Sequence, residues 1–215
     1  MNPAYRPHDL LFAHAAGGFV AAGAAPDWDA GWIARAPLVV RRDALPGGRI
    51  PVGARGPRRS QRSAGHLLPD AVARCVTPER LAAAVLDGPA LDLITAADGL
   101  PAIATLLALA PRLRDLGLNW GPGGGTGFWL ASGLPALRPD SDLDLIVRAP
   151  RALTPLVADA LRGLQEGAAC RIDIQVDTGA GGFALNDYLR GGRVLLKTAA
   201  GPLLVADPWQ TREAA

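Results

Sequence analysis

The stretch Ser-Asp-Leu-Asp-Leu-Ile-Val at residues 141–147 decides how the rest of the chain is interpreted. Strand residues two apart point to the same face, so Asp142 and Asp144 project together while Leu143 and Leu145 face the core. Two carboxylates held side by side repel each other unless a cation lies between them. Mg²⁺ accepts such a pair and leaves other positions to water and phosphate oxygens. The pair therefore predicts catalytic metal ligands of a phosphoryl-transfer site; the alternative is a solvated strand face.

A second alternating run, Arg-Ile-Asp-Ile-Gln-Val-Asp at residues 171–177, follows downstream. Its apolar residues share one face of a predicted strand, and Asp173 and Asp177 lie on the other. Asp173 is the preferred third catalytic and metal-binding carboxylate because it lies mid-strand between two isoleucines. In a two-metal site, one ion activates the attacking oxygen and the other stabilises the leaving group. An exposed strand face is again the alternative.

A glycine-rich segment, Gly-Gly-Gly-Thr-Gly at residues 123–127, precedes the aspartate pair. Glycine amides can approach a phosphate closely and donate hydrogen bonds to it, so Gly124 and Gly125 are predicted substrate contacts. No Gly-Lys-Ser/Thr follows, and the spacing does not fit a dinucleotide-binding fingerprint. A flexible turn is the alternative.

Helix and strand patterns alternate along the chain, which predicts an α/β or α+β fold with a mixed sheet flanked by helices. The break at Asp87-Gly88-Pro89 divides the chain into a smaller N-terminal α/β domain for substrate or carrier binding, residues 1–90, and a nucleotidyltransferase-like catalytic domain, residues 91–215. The predicted strands cover residues 38–40, 50–55, 118–120, 143–147, 171–176, 194–196 and 203–205. The predicted helices cover residues 77–86, 101–116, 154–164 and 183–189, and a short helix is expected to begin at residues 10–12.

The composition favours a soluble globular protein rather than a disordered one. Hydrophobic residues make up 49% of the chain, charged residues 20%, and the net charge is +2. No apolar stretch reaches the roughly 20 residues needed to span a bilayer, and no signal peptide is recognised. The two cysteines lack metal-ligand spacing, which favours the cytoplasm, where thiols stay reduced. Because no apolar stretch is long enough to span a bilayer, no membrane partner is expected. With aromatics at 5%, no nucleic-acid partner is expected.

The positions of the basic residues indicate phosphate binding. Arg55, Arg58, Arg59 and Arg62 lie within eight residues of one another, at the end of the predicted strand 50–55 and in the predicted basic loop at residues 56–62. Arginine donates two hydrogen bonds at once to a phosphate, so the cluster is predicted to hold phosphates or an acidic carrier; a solvated loop is the alternative. Lys197 is the only lysine in the chain, which suggests a point-charge contact with phosphate. His8 and His66 are assigned no role.

The glycine turn, the aspartate pair and the later lone aspartate together resemble the nucleotidyltransferase superfamily of polymerase-β-like enzymes. In this resemblance Gly124-Gly125 is the turn, Asp142 and Asp144 are the pair, and Asp173 is the third member. The spacer between turn and pair is longer than the superfamily usually shows.

A closer resemblance covers nearly the whole chain. It is to the phosphoribosyl-dephospho-CoA transferases, also called malonate decarboxylase holo-acyl-carrier-protein synthases. The segments that carry it are residues 6–11, 50–56, 59–62, 141–145, 181–185, 195–198, 201–202 and 207–209.

The resemblance implies a reaction. The phosphoribosyl-dephospho-CoA group of 2′-(5″-triphosphoribosyl)-3′-dephospho-CoA would pass to a serine of the apo acyl-carrier subunit of malonate decarboxylase, and diphosphate would leave. Asp142 and Asp144 would hold Mg²⁺. If Asp173 is a third ligand, the site would bind two ions; otherwise Asp173 would help to remove the serine proton. Ser141 is assigned to substrate binding.

Two other functions stay open. The first is another metal-dependent nucleotidyltransferase that acts on RNA, protein or a small molecule. The second is a non-catalytic assembly protein that binds the carrier, which the intact Asp142, Asp144 and Asp173 argue against.

Overall fold

Two six-stranded sheets organise the computed structural model, which describes residues 5–28, 30–44, 46–88 and 99–210. The first sheet has the order β2-β5-β4-β3-β1-β6 and the second the order β12-β11-β10-β9-β8-β7. The first sheet consists of β1 (Leu10–Ala13), β2 (Phe19–Ala21), β3 (Leu38–Val40), β4 (Ile50–Arg55), β5 (Arg62–Leu67) and β6 (Val72–Val76). The second consists of β7 (Asn119–Pro122), β8 (Leu143–Arg148), β9 (Ile172–Asp177), β10 (Gly181–Ala184), β11 (Val194–Thr198) and β12 (Gly201–Val205).

Six α-helices lie in the described part of the chain: α1 (Ala30–Arg35), α2 (Pro78–Leu86), α3 (Pro101–Asp115), α4 (Gly124–Ser132), α5 (Pro155–Gly163) and α6 (Leu185–Leu189). Their ends follow local chemistry. Thr77 caps α2 by accepting a hydrogen bond from the amide of Arg80, and Thr154 does the same for α5 at the amide of Val157. Among the described helices, none combines the length and the apolar character that a bilayer crossing requires.

The predicted α/β class is confirmed, and the second sheet is mixed, because β8 and β9 run parallel while its other pairs are antiparallel. Most predicted elements are confirmed within a few residues. The predicted hairpin of β3 and β4 is also present, with Val39 opposite Gly53. The predicted domain boundary near residue 90 lies outside the described residues and stays a prediction.

Four local predictions are wrong. Residues 10–12 belong to β1 instead of a helix, because β1 pairs with both β3 and β6. The glycine segment was expected to be a loop, but α4 begins at Gly124. Arg62 begins β5 instead of ending a loop. Phe183 lies in β10, so that helix α6 begins only at Leu185.

Each sheet has its own hydrophobic core. The first sheet buries Leu11, Leu38 and Val52 on one face. The second sheet packs against α3 and also against α2, whose Leu81 and Val85 join the larger core. The opposite face of the first sheet therefore turns toward the second sheet, and a cavity lies between them.

Candidate active site

A cavity of about 840 Å³ lies between the two sheets. On one wall, β8 and β9 present the predicted carboxylates, since Asp144 and Asp173 occupy paired positions of the parallel ladder. On the other wall, β4 and β5 present Arg55 and Arg62, which are also directly paired. Of the predicted site residues, these line the cavity: Asp142, Asp144, Asp173, Gly124, Gly125, Ser141, Arg55, Arg59 and Arg62.

The three aspartates repel one another at this wall. Burial raises the pKa of Asp144, and the neighbouring charges of Asp173 and Asp142 raise it further. Arg171 offsets part of this charge, because its Nη2 donates a hydrogen bond of 2.8 Å to Oδ1 of Asp173. A cation bound at Asp142 and Asp144 would relieve the remaining repulsion.

The carboxylates at this site suit Mg²⁺ that binds together with the phosphates of a substrate. In the part of the chain that the structure describes, no three acidic, histidine or cysteine side chains already converge as a metal site. Mg²⁺ is commonly held by one or two carboxylates and completes its shell with water and substrate phosphates. Asp142 and Asp144 would supply those carboxylates, and the roles of Asp173 as a ligand and of a second ion stay predictions.

Gly124 permits the close approach of α4 to Asp144. Its φ of +52° lies in the left-handed region, and a β-carbon at this position would overlap the carboxylate of Asp144. The amide of Gly123 donates a 2.9 Å hydrogen bond to the main-chain oxygen of Asp144. The N-terminus of α4, with its partial positive charge, therefore faces the cavity beside the aspartates.

We expect Gly124→Ala to lower the free energy of unfolding by about 2 kcal/mol or more, because the left-handed backbone alone costs a non-glycine residue about 1–2 kcal/mol. Chemical denaturation measures this change. The matched control is Gly163→Ala, since a β-carbon there meets nothing within 4 Å. Equal unfolding midpoints for the two variants would contradict the close packing of Gly124 on Asp144.

The arginine wall carries charge without acidic partners. Among the described residues, Arg55, Arg59 and Arg62 form no ion pair. Burial lowers the pKa of Arg55, and the nearby cations Arg62, Arg59 and Arg138 lower it further against the opposing effect of Asp144. Cations gathered in this way are stabilised by an anionic ligand, so this wall is suited to phosphate.

Two predicted contacts have different outcomes. Ser141 lines the cavity, and its Oγ accepts a hydrogen bond of 3.0 Å from the amide of Arg138. Lys197 lies exposed on β11, paired with Gly182 and Pro202, and is not among the cavity-lining residues. The structure therefore does not bring Lys197 together with the other predicted site residues.

Several cavity residues escaped the sequence analysis. His8 lines the cavity with a φ of +74°, and burial, then Arg148 and Arg42, lowers its pKa to about 4. Gln175 also lines the cavity; its position two residues after Asp173 on one strand was the signal that could have found it. No local pattern marks His8, because its neighbours come from distant parts of the chain.

A buried ion cluster closes one end of the cavity region. Arg148 forms an ion pair with Asp177, contacts Glu79 at 3.1 Å and Asp9 at 3.3 Å, and donates a 2.8 Å hydrogen bond to the main-chain oxygen of Pro7. Arg42 contacts Asp177 at 3.1 Å. This cluster joins the two sheets, and it gives Asp177 a structural environment distinct from that of Asp173.

Comparison with known proteins identifies a family whose two profiles match this chain. The profile described as "Phosphoribosyl-dephospho-CoA transferase MdcG C-terminal domain" matches residues 90–208, and the corresponding N-terminal profile matches residues 6–78. No solved structure gives a significant match.

Three curated relatives, all named phosphoribosyl-dephospho-CoA transferase, match nearly end to end. The protein from Klebsiella pneumoniae strain 342 is 42% identical over 99% of this chain and 100% of its own. That from Pseudomonas aeruginosa is 43% identical over 96% and 95%, and that from Pseudomonas syringae pv. tomato is 41% identical over 96% and 94%.

Proposed function

The chain belongs to the phosphoribosyl-dephospho-CoA transferase family and is a transferase, and from this premise we propose its donor, acceptor and leaving group. The donor is 2′-(5″-triphosphoribosyl)-3′-dephospho-CoA. The acceptor is a serine of the apo acyl-carrier subunit of malonate decarboxylase, and diphosphate leaves. The reaction is expected in the cytoplasm, where the free thiols of Cys75 and Cys170 stay reduced.

One observation supports the proposal most directly: aspartates and unpaired arginines face each other across a single cavity. A triphosphate needs cations on its oxygens, and the arginine wall provides them. The attacking and leaving oxygens also need a divalent cation, for which Asp142 and Asp144 provide ligands. The two walls together therefore supply both groups that transfer from a triphosphate uses.

Different residues of the chain serve different parts of an in-line displacement at phosphorus. Arg55, Arg59 and Arg62 hold the phosphates, and the amides of Gly124 and Gly125 at the start of α4 add donors. Mg²⁺, when bound, neutralises phosphate charge and favours attack at phosphorus. A bond forms between the serine oxygen and the α-phosphorus while the bond from that phosphorus to the diphosphate oxygen breaks.

The serine proton needs a base, and we assign it to Asp173. Arg171 holds Oδ1 of this carboxylate at 2.8 Å, which leaves Oδ2 to accept the proton. The hydrogen bond to Arg171 fixes the orientation of the carboxylate at the rim of the aspartate wall.

The proposed function is tested by weighing the product. The protein is incubated with apo carrier subunit, Mg²⁺ and the triphosphoribosyl precursor, and the intact mass of the carrier is measured. We expect a gain equal to one phosphoribosyl-dephospho-CoA group, and no gain on a carrier whose acceptor serine is replaced by alanine. The carrier subunit of citrate lyase serves as the competing acceptor. No mass gain with authentic substrates, or faster modification of the citrate lyase carrier, would refute the proposed acceptor.

Arg62→Met is expected to raise KM for the donor by about 10- to 100-fold, because a hydrogen bond to a charged group contributes about 1.5–3 kcal/mol. The turnover rate should change less, since Arg62 lies on the phosphate-holding wall. Initial rates over a range of donor concentrations measure both constants. Arg112→Met removes an exposed arginine outside the cavity and should leave both unchanged. An unchanged KM in Arg62→Met would remove Arg62 from the donor site.

A further inference from the structure

The cavity has a charged end and a neutral middle. Along β9, Asp173 lies at the charged end, Gln175 follows on the same face, and Asp177 belongs to the buried ion cluster. Two strand residues span roughly 7 Å, so the charged end and the cluster are roughly 13 Å apart. The space between them is lined by His8, Val39, Gly53, Ala64, Ile146 and Gln175, which we call the neutral compartment.

Small side chains create the space in this compartment. Gly53 lies opposite Val39 on one side and Ala64 on the other in the ladder of the first sheet. A β-carbon at Gly53 would contact only the side chain of Arg41, at 3.6 Å or more. No main-chain or core atom lies within 4 Å of that β-carbon position, which leaves room beside Arg41 for a ligand group.

Two polar side chains of the compartment have unused hydrogen-bonding capacity. Within the described residues, neither the imidazole of His8 nor the amide of Gln175 forms a hydrogen bond, although both line the cavity. Because the pKa of His8 is lowered to about 4, its ring is neutral at physiological pH and offers one donor and one acceptor. Each side chain is therefore matched to an amide or a hydroxyl group of a ligand.

Two of the three cations that act on His8, Arg148 and Arg42, are already paired, and the third, Lys197, is exposed on β11 and does not line the cavity. Arg148 and Arg42 are occupied by the buried acids Asp177 and Asp9. Arg41, at the rim, has a side chain that is 44% exposed and lies 3.8 Å from Asp43. The compartment therefore offers an uncharged ligand hydrogen bonds and apolar contacts with Val39 and Ile146, whereas unpaired cations for phosphate are concentrated at the other end.

We propose that the neutral compartment binds the pantetheine arm of the donor, beginning with its pantoyl group, while the triphosphate occupies the charged end. This proposal rests on the proposed function, which places a dephospho-CoA donor in the cavity. The dimethyl carbon of the pantoyl group packs between Val39 and Ile146. Its hydroxyl and amide bond to His8 and Gln175.

The competing occupant is the adenosine diphosphate part of the donor. In the compartment, its phosphates would face arginine cations that already pair with acids. The arginine wall instead offers cations without acidic partners. Dephospho-CoA is adenosine diphosphate extended by the pantetheine arm, so ADP lacks the group that the proposal places in the compartment and carries about one more negative charge on its terminal phosphate. The selective loss in a variant, rather than the absolute affinity, therefore reports on the arm.

The test compares the affinities of dephospho-CoA and ADP by calorimetric titration of the full chain. Gly53→Leu adds an isobutyl group in front of Gly53, where φ is not positive, and should weaken dephospho-CoA at least about tenfold while ADP changes less than twofold. Gly23→Leu is the matched control, because a β-carbon there meets nothing within 4 Å and the residue is exposed. It should leave both affinities unchanged.

A second variant keeps the test valid if Gly53→Leu does not fold. Gln175→Leu removes an amide but keeps the size of the side chain, and should weaken dephospho-CoA several-fold and ADP less than twofold. The proposal is overturned if the folded variants weaken both ligands equally or if they weaken neither.

These outcomes are separable from those of the carrier assay. Dephospho-CoA binding that Gly53→Leu weakens selectively, without transfer to the malonate decarboxylase carrier, would support the compartment and refute the acceptor. Carrier modification together with no selective loss in Gly53→Leu would support the proposed function and refute the compartment.

Discussion

Asp144→Asn is expected to reduce transfer to the carrier by about three orders of magnitude, because metal ligation supplies several kcal/mol of transition-state stabilisation and each 1.36 kcal/mol changes the rate tenfold. Asn is nearly the same size as Asp, so the packing of Gly124 against this side chain is retained. Single-turnover rates at saturating donor measure the loss. Asp142→Asn should show a similar effect, since both residues supply the predicted metal ligands.

The same substitution should stabilise the metal-free protein. Burial, followed by Asp173 and Asp142, raises the pKa of Asp144. A carboxyl group whose pKa is higher in the folded state favours folding while protonated, and this contribution is lost as the pH rises through the folded pKa. At neutral pH the ionised Asp144 therefore opposes folding, and Asp144→Asn removes that penalty. Thermal unfolding in the presence of a chelator should show a higher Tm for the variant.

Asp140→Asn is the matched control. Asp140 lies in the loop that leads into β8, is exposed and pairs with Arg138, and does not line the cavity. Transfer by this variant should stay within about twofold of wild type, since an exposed ion pair contributes little. Full transfer by Asp144→Asn would overturn the metal assignment, and a large loss in Asp140→Asn would show that any charge change in this loop is harmful.

Arg148→Met is expected to have the largest effect on stability, with the free energy of unfolding reduced by about 3–5 kcal/mol. The arginine side chain is 7% exposed, and that of Asp9 is 2% exposed. Removing the cation leaves buried carboxylates without their partner, and it also removes the donor to the main-chain oxygen of Pro7. Since domains are commonly stable by only 5–15 kcal/mol, urea denaturation should show a much lower midpoint.

The contribution of Asp177 to this loss depends on pH with a definite sign. Burial alone would raise the pKa of Asp177, but Arg42, the amide of Gly179 and Arg148 outweigh burial and hold it below the ordinary value of 3.8. A carboxyl group with a lowered folded pKa stabilises the fold above its unfolded pKa, and this stabilisation is lost as the pH falls through the folded pKa. Wild-type protein should therefore lose this contribution below about pH 4, and Arg148→Met should lose less there.

Arg114→Met provides the control for the removal of an arginine. Its guanidinium is 60% exposed and pairs with Asp115 at the end of α3, so the free energy of unfolding should change by at most about 0.5 kcal/mol. If Arg148→Met and Arg114→Met unfold at the same urea concentration, the buried cluster does not join the two sheets energetically.

Much of the second sheet was predictable because its local patterns are strong. Alternating residues at 143–147 and 171–176 fall on strands, and Thr-Pro pairs begin α2 and α5. The first sheet was less accessible. Strand β5 contains Arg62, Ser63, Gly65 and His66, whose polarity resembles a loop. It forms a strand because β4 and β2 pair with it on both sides, which is information that lies far away in the sequence.

The glycine segment shows how tertiary context changes a local interpretation. Four glycines and a threonine at residues 123–127 favour a loop by propensity. They form the junction of β7 and α4 because the helix must approach Asp144 closely, and a side chain at Gly124 would prevent that approach. Propensity describes the isolated segment, whereas packing on the neighbouring strand decides its conformation.

By itself, the sequence predicted the chemistry of the candidate site. The two-residue repeat of a strand placed Asp142 and Asp144 on one face, and a second alternating run together with the superfamily resemblance added Asp173. The sequence also indicated a phosphate-binding role for Arg55, Arg59 and Arg62 through their type and spacing. Only the tertiary structure decided that these two groups face each other, that His8 and Gln175 line the space between them, and that Lys197 lies elsewhere. Contacts between separate sheets depend on how whole faces pack, and no local period in the sequence encodes them.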